Sequence, residues 1–470
     1  MRLSQLALES FRRNFKPFVL AFVSLFLPAV LEADTPAFHI QVVDQESQWP
    51  VPLVKLTTTG NQTFITDNDG LVTIDSPELL GQEVWFTVKS DGYAAEIDGF
   101  KNRGFRVTVT PGKSHTFSVN RTSIAKRLGR LTGSGLFAEA QKSGRHLSWK
   151  ESGLTGCDSI QSAYHRDQKF WIWGDTNLPH YPLGIFNAIG ATTTAKPLSS
   201  LEPPLKIPYS YFRDRDQRPR GLAPFAGSGP TWLSGLVSLP DQSGTPHLVA
   251  TFVKIRNFLD VYRLGLCRWD EAKQSFVPLK TLWEHSPESP DQPLAPEGHA
   301  VIYPDQNGKK WLYFGDPFPH LRMPATFEAW QDSSAWEILT PQKQLTGPTG
   351  KKIIPHRGSI AWNDYRQKWL SIFTQKEGQP SPLGEIWLAE ADLPTGPWKN
   401  PVKVLSHQSY TFYNPLIHAD LTSPKSPVLL FEGTYTSLFS KSEEKTPRYD
   451  YNQILYRIDL DDPKLNPLGK

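Results

Sequence analysis

Residues 158–176 read DSIQSAYHRDQKFWIWGDT, and residues 298–317 read GHAVIYPDQNGKKWLYFGDP. Each is an apolar run, a polar turn and a second apolar run, the pattern of a β-hairpin, and both second runs end in Gly-Asp. Three further stretches superimpose on them: WLSGLVSLPDQSGTPHLVATFVKI at 232–255, RGSIAWNDYRQKWLSIFTQ at 357–375 and YNPLIHADLTSPKSPVLLFEGT at 413–434. The five begin near 158, 232, 298, 357 and 413, at intervals of 74, 66, 59 and 56 residues. That spacing leaves room for two outer strands per unit, visible in LDVYRLGLCRWD at 259–270 and GEIWLAEADLPTGPW at 384–398. The recurrence predicts an all-β, five-bladed β-propeller over 155–462, followed by a tail at 463–470. A β-sandwich or jelly roll accounts for the strand alternation but not for the fivefold repeat.

The rest of the 470-residue chain is consistent with two or three domains at roughly 100–200 residues each. Fifteen Trp, fifteen Tyr and 26 Phe, punctuated by 41 Pro and 33 Gly, favour many short strands over long helices. Residues 1–33 carry Arg2, Arg12, Arg13 and Lys16 ahead of an apolar run from about Phe18 to Leu31, which is signal-peptide grammar. The run is shorter than the ~20 residues of a membrane span. Its removal leaves a net charge of +1 and a secreted or periplasmic protein with no stable membrane span. Such a balance gives no attraction to nucleic acid. Cys157 and Cys267 stand 110 positions apart, so they form either one disulfide or two buried thiols, and neither belongs to a CxxC metal or redox motif.

Residues 36–120 alternate as short strands between turns and predict a small N-terminal β-sandwich domain. TDNDG at 66–70 and SDGY at 90–93 resemble the transthyretin-like modules called carboxypeptidase regulatory-like domains, in which Asp67, Asp69 and Asp91 are read first as turn residues. Residues 121–154 are basic and Gly-rich. They predict a connector able to lend the propeller its closing strand.

In a propeller the first strand of each blade lines the channel and the second runs antiparallel beside it, so the start of one and the end of the other share a mouth. Gathered there are Asp158 and Asp175, Trp232 and Ser234, Glu297, His299 and Asp316, His356 and Arg357, and Tyr413, Asn414 and Glu432. His180 and His320 follow Pro in equivalent loops. Each has a plainer reading: the aspartates as turn caps, Glu297 as a loop residue, Arg357 as a counter-charge, the histidines as markers of a shared loop shape. Metal-ligand spacing, a G-x-S-x-G elbow and phosphate-binding glycine patterns are absent from the sequence, so no metal or cofactor is expected.

An acid opening blade one and a Glu opening blade three resemble the arabinanase and β-xylosidase type of glycoside hydrolase and its fructosidase relatives, as does EADLPTGPW at 390–398. That resemblance implies Asp158 as base or nucleophile and Glu297 as proton donor. Asp175, Asp316 and Arg357 complete the expected catalytic set, and His180, Trp232, His299, His320, His356, Tyr413, Asn414 and Glu432 the expected carbohydrate-binding set. Blade two departs from the family pattern, because GPTWLSG at 229–235 offers no Asp. The expected function is therefore hydrolysis of an oligo- or polysaccharide by paired carboxylates, or else glycan binding without catalysis.

Overall fold

The computed structural model describes residues 36–194, 197–257, 259–440 and 450–466. The signal peptide expected at 1–33 lies outside the described residues. Strands dominate, and the two α-helices among the described residues, Ala138–Lys142 and Phe327–Gln331, have five residues each. No described helix is long and apolar enough to cross a membrane.

Each of the five hairpins forms the first two strands of a four-stranded antiparallel sheet. The first sheet runs Gln161–His165, Gln168–Trp173, Ile189–Thr194 and Ser210–Tyr211. The second runs Thr231–Pro240, Pro246–Arg256, Asp260–Asp270 and Ser275–Glu284. His299–Pro304, Lys310–Gly315, Pro319–Pro324 and Glu337–Ile338 make the third, and Pro355–Asn363, Lys368–Gln375, Glu385–Ala391 and Lys399–Ser406 the fourth. The fifth begins with Thr411–Ile417, Val428–Thr436 and Asn452–Asp459, and takes its outer strand, Lys126–Arg130, from far upstream.

Second strands such as Gln168–Trp173 and Lys368–Gln375 are buried on both faces, which is why they read as unbroken apolar runs rather than alternating ones. Their side chains fill the spaces between sheets. Phe170 and Ile172 pack with Leu248 and Phe252, and Val237 and Leu239 with Leu312 and Phe314. Phe318 packs with Trp369 and Trp398, Leu370 and Ile372 with Phe412 and Phe431, and Leu416 and Leu430 with Trp171 and Trp173. The last cluster joins the fifth sheet to the first, so the packing is cyclic.

Hydrogen bonds follow the same cycle. Leu236 N–H donates to Gln161 Oε1 (3.4 Å), Gly298 N–H to Ser234 Oγ (2.8 Å), Gly358 N–H to Asp316 Oδ1 (2.8 Å) and Ile417 N–H to Ser359 Oγ (2.8 Å). Ser159 N–H to Thr434 Oγ1 (3.0 Å) completes it. These bonds tie each sheet to the next through first-strand residues and residues at the ends of second strands.

Ahead of this ring, residues 38–121 form two further four-stranded sheets around one core that includes Ile40, Val42, Leu56, Phe86 and Val119. Asp67 ties its turn together by accepting from the N–H groups of Asp69, Leu71 and Ala140. Asn68 exchanges two 2.9 Å bonds with Arg130, and Asp91 accepts from Gln408 N–H and Tyr435 O–H, so both turns fasten this unit to the fifth sheet and its approach. Cys157 and Cys267 are separate, buried, free thiols.

Candidate active site

The first Gly-Asp ending has a steric cause. A Cβ on Gly174 would stand 2.4 Å from Asp158 Oδ1, so only glycine lets the end of the second strand pass beneath that carboxylate. The backbones lock the same approach: Gly174 N–H donates to Asp158 O (2.8 Å) and Asp158 N–H to Asp175 O (3.2 Å). In the third sheet Gly298 adopts φ +90°, and a Cβ there would meet Gly315 O at 2.2 Å. This turn carries Glu297 into place.

Asp158 sits in a frame of hydroxyls. Its Oδ2 accepts from Tyr413 O–H at 2.8 Å, and the side chains of Tyr451 and Ser159 also hydrogen-bond to it. Burial raises its pKa above the ordinary aspartate value, while those donors pull the other way. Asn414 holds Ser159 from behind, Nδ2 to Oγ at 2.7 Å. Asp175 accepts from Trp232 Nε1–H at 2.9 Å, and burial together with the neighbouring Asp158 charge pushes its pKa up to about 7.

Glu297 occupies the next sector. Burial raises its pKa, the Arg357 guanidinium opposes that rise, and Asp316 adds to it. Asp316 is fully engaged, with Arg357 Nη1 at 3.0 Å on one oxygen and Gly358 N–H on the other. His299 is held neutral, its pKa lowered to about 4 by burial, and burial also lowers that of His356. Trp232 and Ser234 connect the two acidic sectors: Trp232 touches Asp175, and two residues along the same strand, about 7 Å away, Ser234 receives the N–H of Gly298.

Several features point outward to a ligand. Asn414 Oδ1 and His356 Nδ1 are buried without a hydrogen-bond partner among the described residues, a state native proteins seldom leave unanswered. Exposed aromatics flank the Asp158 and Asp175 pair. Phe439, 56% exposed, lies 6.0 Å from the Tyr413 ring, and Phe186, 41% exposed, accepts at its carbonyl from Thr231 N–H beside Trp232. Among the described residues no group of three or more His, Cys, Asp and Glu side chains is placed to hold a metal ion.

Three of the expected binding residues stand apart. His180 is exposed at the two-residue tip between Thr176–Leu178 and Tyr181–Ile185. His320 braces the segment before Glu297, its Nε2 lying 3.3 Å from Ala295 O. Glu432 is wholly buried and pairs with His418 Nε2 at 3.0 Å, in a chain that continues through Lys169 to Asp420. Its place on the second strand turns it into the space between sheets rather than toward the mouth. Conversely, the sequence reading passed over Tyr451. It precedes the third strand of the fifth sheet, and an antiparallel third strand starts at the same mouth where the second one ends.

No family model matches this chain, and no curated protein matches it. Among solved structures it is similar to an exo-1,5-α-L-arabinanase from a bovine ruminal metagenomic library, at 8% identity over 66% of this chain and 94% of that one, with a TM-score of 0.38. It is also similar to an exo-β-1,3-galactanase from Phanerochaete chrysosporium (11% identity, 64% of this chain, 60% of that one, TM-score 0.37). A GH43_1 enzyme from Xanthomonas citri is a third (11%, 65% and 88%, TM-score 0.35). Overlap of this extent assigns neither chemistry nor substrate to the present chain.

Proposed function

We propose that the five sheets are the blades of a β-propeller and that its mouth hydrolyses glycosidic bonds, with Glu297 as proton donor and Asp158 as base or nucleophile. The observation that carries this reading is the presence of two half-buried acids in unlike surroundings. Burial raises the pKa of both; at Asp158 a set of hydroxyl donors opposes the rise, whereas at Glu297 the Arg357 guanidinium opposes it and Asp316 adds to it. Glu297 gives its proton to the glycosidic oxygen as the C–O bond breaks. Asp158 either takes a proton from the water that attacks the anomeric carbon or attacks that carbon itself, and the distance between the two carboxyl groups selects the course. Arg357 then faces a newly ionised Glu297, and its positive charge stabilises that product state. Asp175, with a pKa of about 7, is about half protonated beside Asp158 at neutral pH. The exposed faces of Phe186 and Phe439 offer stacking surfaces to sugar rings on either side.

The same reading takes residues 36–120 as an accessory sandwich, 121–154 as the connector and 155–462 as the propeller of an exported protein. Glu297→Gln tests the chemistry. An aryl glycoside with a good leaving group needs no proton donor, so the variant keeps activity on it while losing ~100-fold or more on an unactivated oligosaccharide. Equal losses on both substrates overturn the role of Glu297. One observation favours glycan binding without turnover: Trp232 stands at the opening of the second sheet, and its indole N–H occupies Asp175. Under that reading Glu297→Gln leaves glycan affinity intact and there is no turnover to lose.

A further inference from the structure

A cleft of about 770 Å³ lies away from the acids, between the N-terminal two-sheet unit and the edge of the fourth sheet. Its wall carries Lys55, Lys89, Arg103, Arg127 and Lys403 against one carboxylate, Asp91. Setting Lys55 aside, the wall still carries four cations against one carboxylate, a local excess of three positive charges. Asp91, already counted against that excess, has its two oxygens held by Gln408 N–H and Tyr435 O–H.

Three of these cations, Arg127, Lys89 and Arg103, have no ion pair among the described residues. Arg127 is buried, and its N–H groups go to neutral oxygens: Pro52 O and Asp91 O, each at 3.0 Å, and Ser90 Oγ. No carboxylate lies within ion-pair distance of it among the described residues, and its charge is supported by these oxygens, the Tyr93 ring and the more distant Asp91. Lys89 and Arg103 are exposed and likewise make no ion pair among the described residues, Arg103 spending one donor on Ala95 O at 2.7 Å. Lys403 has Glu385 at 3.3 Å and projects from the opposite wall. Like charges converging on a concave surface focus a positive potential into it.

We propose that this cleft binds a small polyanion, a ligand bearing two or more carboxylate, sulfate or phosphate groups that bridges the N-terminal unit and the fourth sheet. The cleft is of the size that takes a ligand of a few rings. The proposal stands independently of the hydrolase reading, because none of its residues belongs to the acidic mouth.

Calorimetric titration of the full chain with tetragalacturonate, sucrose octasulfate and inositol hexakisphosphate separates the carboxylate, sulfate and phosphate sources, with maltotetraose as the neutral comparison. At least one anion is expected to bind with a Kd of ~100 μM or tighter at low salt, and to weaken as salt screens the cleft. The double variant Lys89→Glu with Arg103→Glu weakens that binding at least ~10-fold. Both positions are exposed, so the variant retains the fold, checked by an unchanged unfolding midpoint without ligand. Glu297→Gln leaves anion binding unchanged. The proposal is overturned if no anion binds more tightly than ~1 mM, or if the double variant binds as the natural chain does.

Discussion

Replacing Asp175 with Asn tests the electrostatics of the mouth through stability alone. The amide keeps an oxygen for Trp232 Nε1–H but cannot ionise. In the folded chain the Asp175 carboxyl titrates at about 7 rather than at its ordinary 3.8, because it is buried and faces Asp158. A folded pKa above the unfolded one means that this group's contribution is fully present below the unfolded value and is lost as pH rises through the folded value. At roughly 1.36 kcal/mol per pH unit, the rise from 3.8 to about 7 corresponds to about 4 kcal/mol as an upper bound. Partial solvent access reduces that to on the order of 1–3 kcal/mol. Urea unfolding followed by tryptophan fluorescence from pH 4 to pH 8.5 reads the effect. The natural chain should lose stability across that interval, and Asp175→Asn should lose less by the stated amount, with the two profiles diverging mainly between pH 4 and 7. Parallel profiles, or a steeper decline in the variant, would refute the claim that Asp175 resists ionisation at the mouth.

Tyr413→Phe removes the 2.8 Å donor that favours ionised Asp158, so the acidic limb of the pH–rate profile should move upward by about one pH unit. An unmoved limb would show that the hydroxyl does not control the base. Arg357→Gln removes the influence that lowers the Glu297 pKa, so the alkaline limb should move to higher pH while kcat falls. A limb that moves to lower pH contradicts the coupling. Asp91→Ala leaves Gln408 N–H and Tyr435 O–H without their acceptor and should cost about 1–3 kcal/mol of stability. Limited proteolysis should then cut near residues 121–125 faster than in the natural chain, and equal rates would mean that Asp91 does not anchor the N-terminal unit.

The strand-turn-strand units were legible because each pairs apolar runs with a polar turn, and the interval between them fixed how many outer strands could follow. The two Gly-Asp endings were readable as a repeated feature. The cause of the first, clearance of Asp158 Oδ1 over Gly174, is a contact between residues 16 apart in sequence, and Gly315 is confined instead by the Phe318 and Pro319 backbone; both become visible only with the backbone traced. Glu432 illustrates where periodicity misleads. Second strands here are buried on both faces, so the alternation that separates inward from outward positions is missing, and an acid at the middle of Val428–Thr436 turned out to be an interior partner of His418. Tyr451 was missed for a topological reason, since only first-strand starts and second-strand ends were gathered at the mouth. His180 follows Pro as His320 does, yet the loops diverge: one forms an exposed two-residue tip and the other a strand that braces Ala295. The cationic cleft could not be read from the chain at all, because Lys55, Lys89, Arg103, Arg127 and Lys403 come from distant segments that converge only when the N-terminal unit docks.

Release of reducing ends from a panel of plant and algal polysaccharides, measured alongside binding to the same polymers, tests the role of the acid pair most directly. The natural chain should hydrolyse at least one polymer, and Asp158→Asn and Glu297→Gln should each lose ~100-fold or more of that turnover while still retaining the polymer. Polymer retained by all three proteins with no reducing ends released by any, or turnover undiminished in either variant, would contradict catalysis by Asp158 and Glu297.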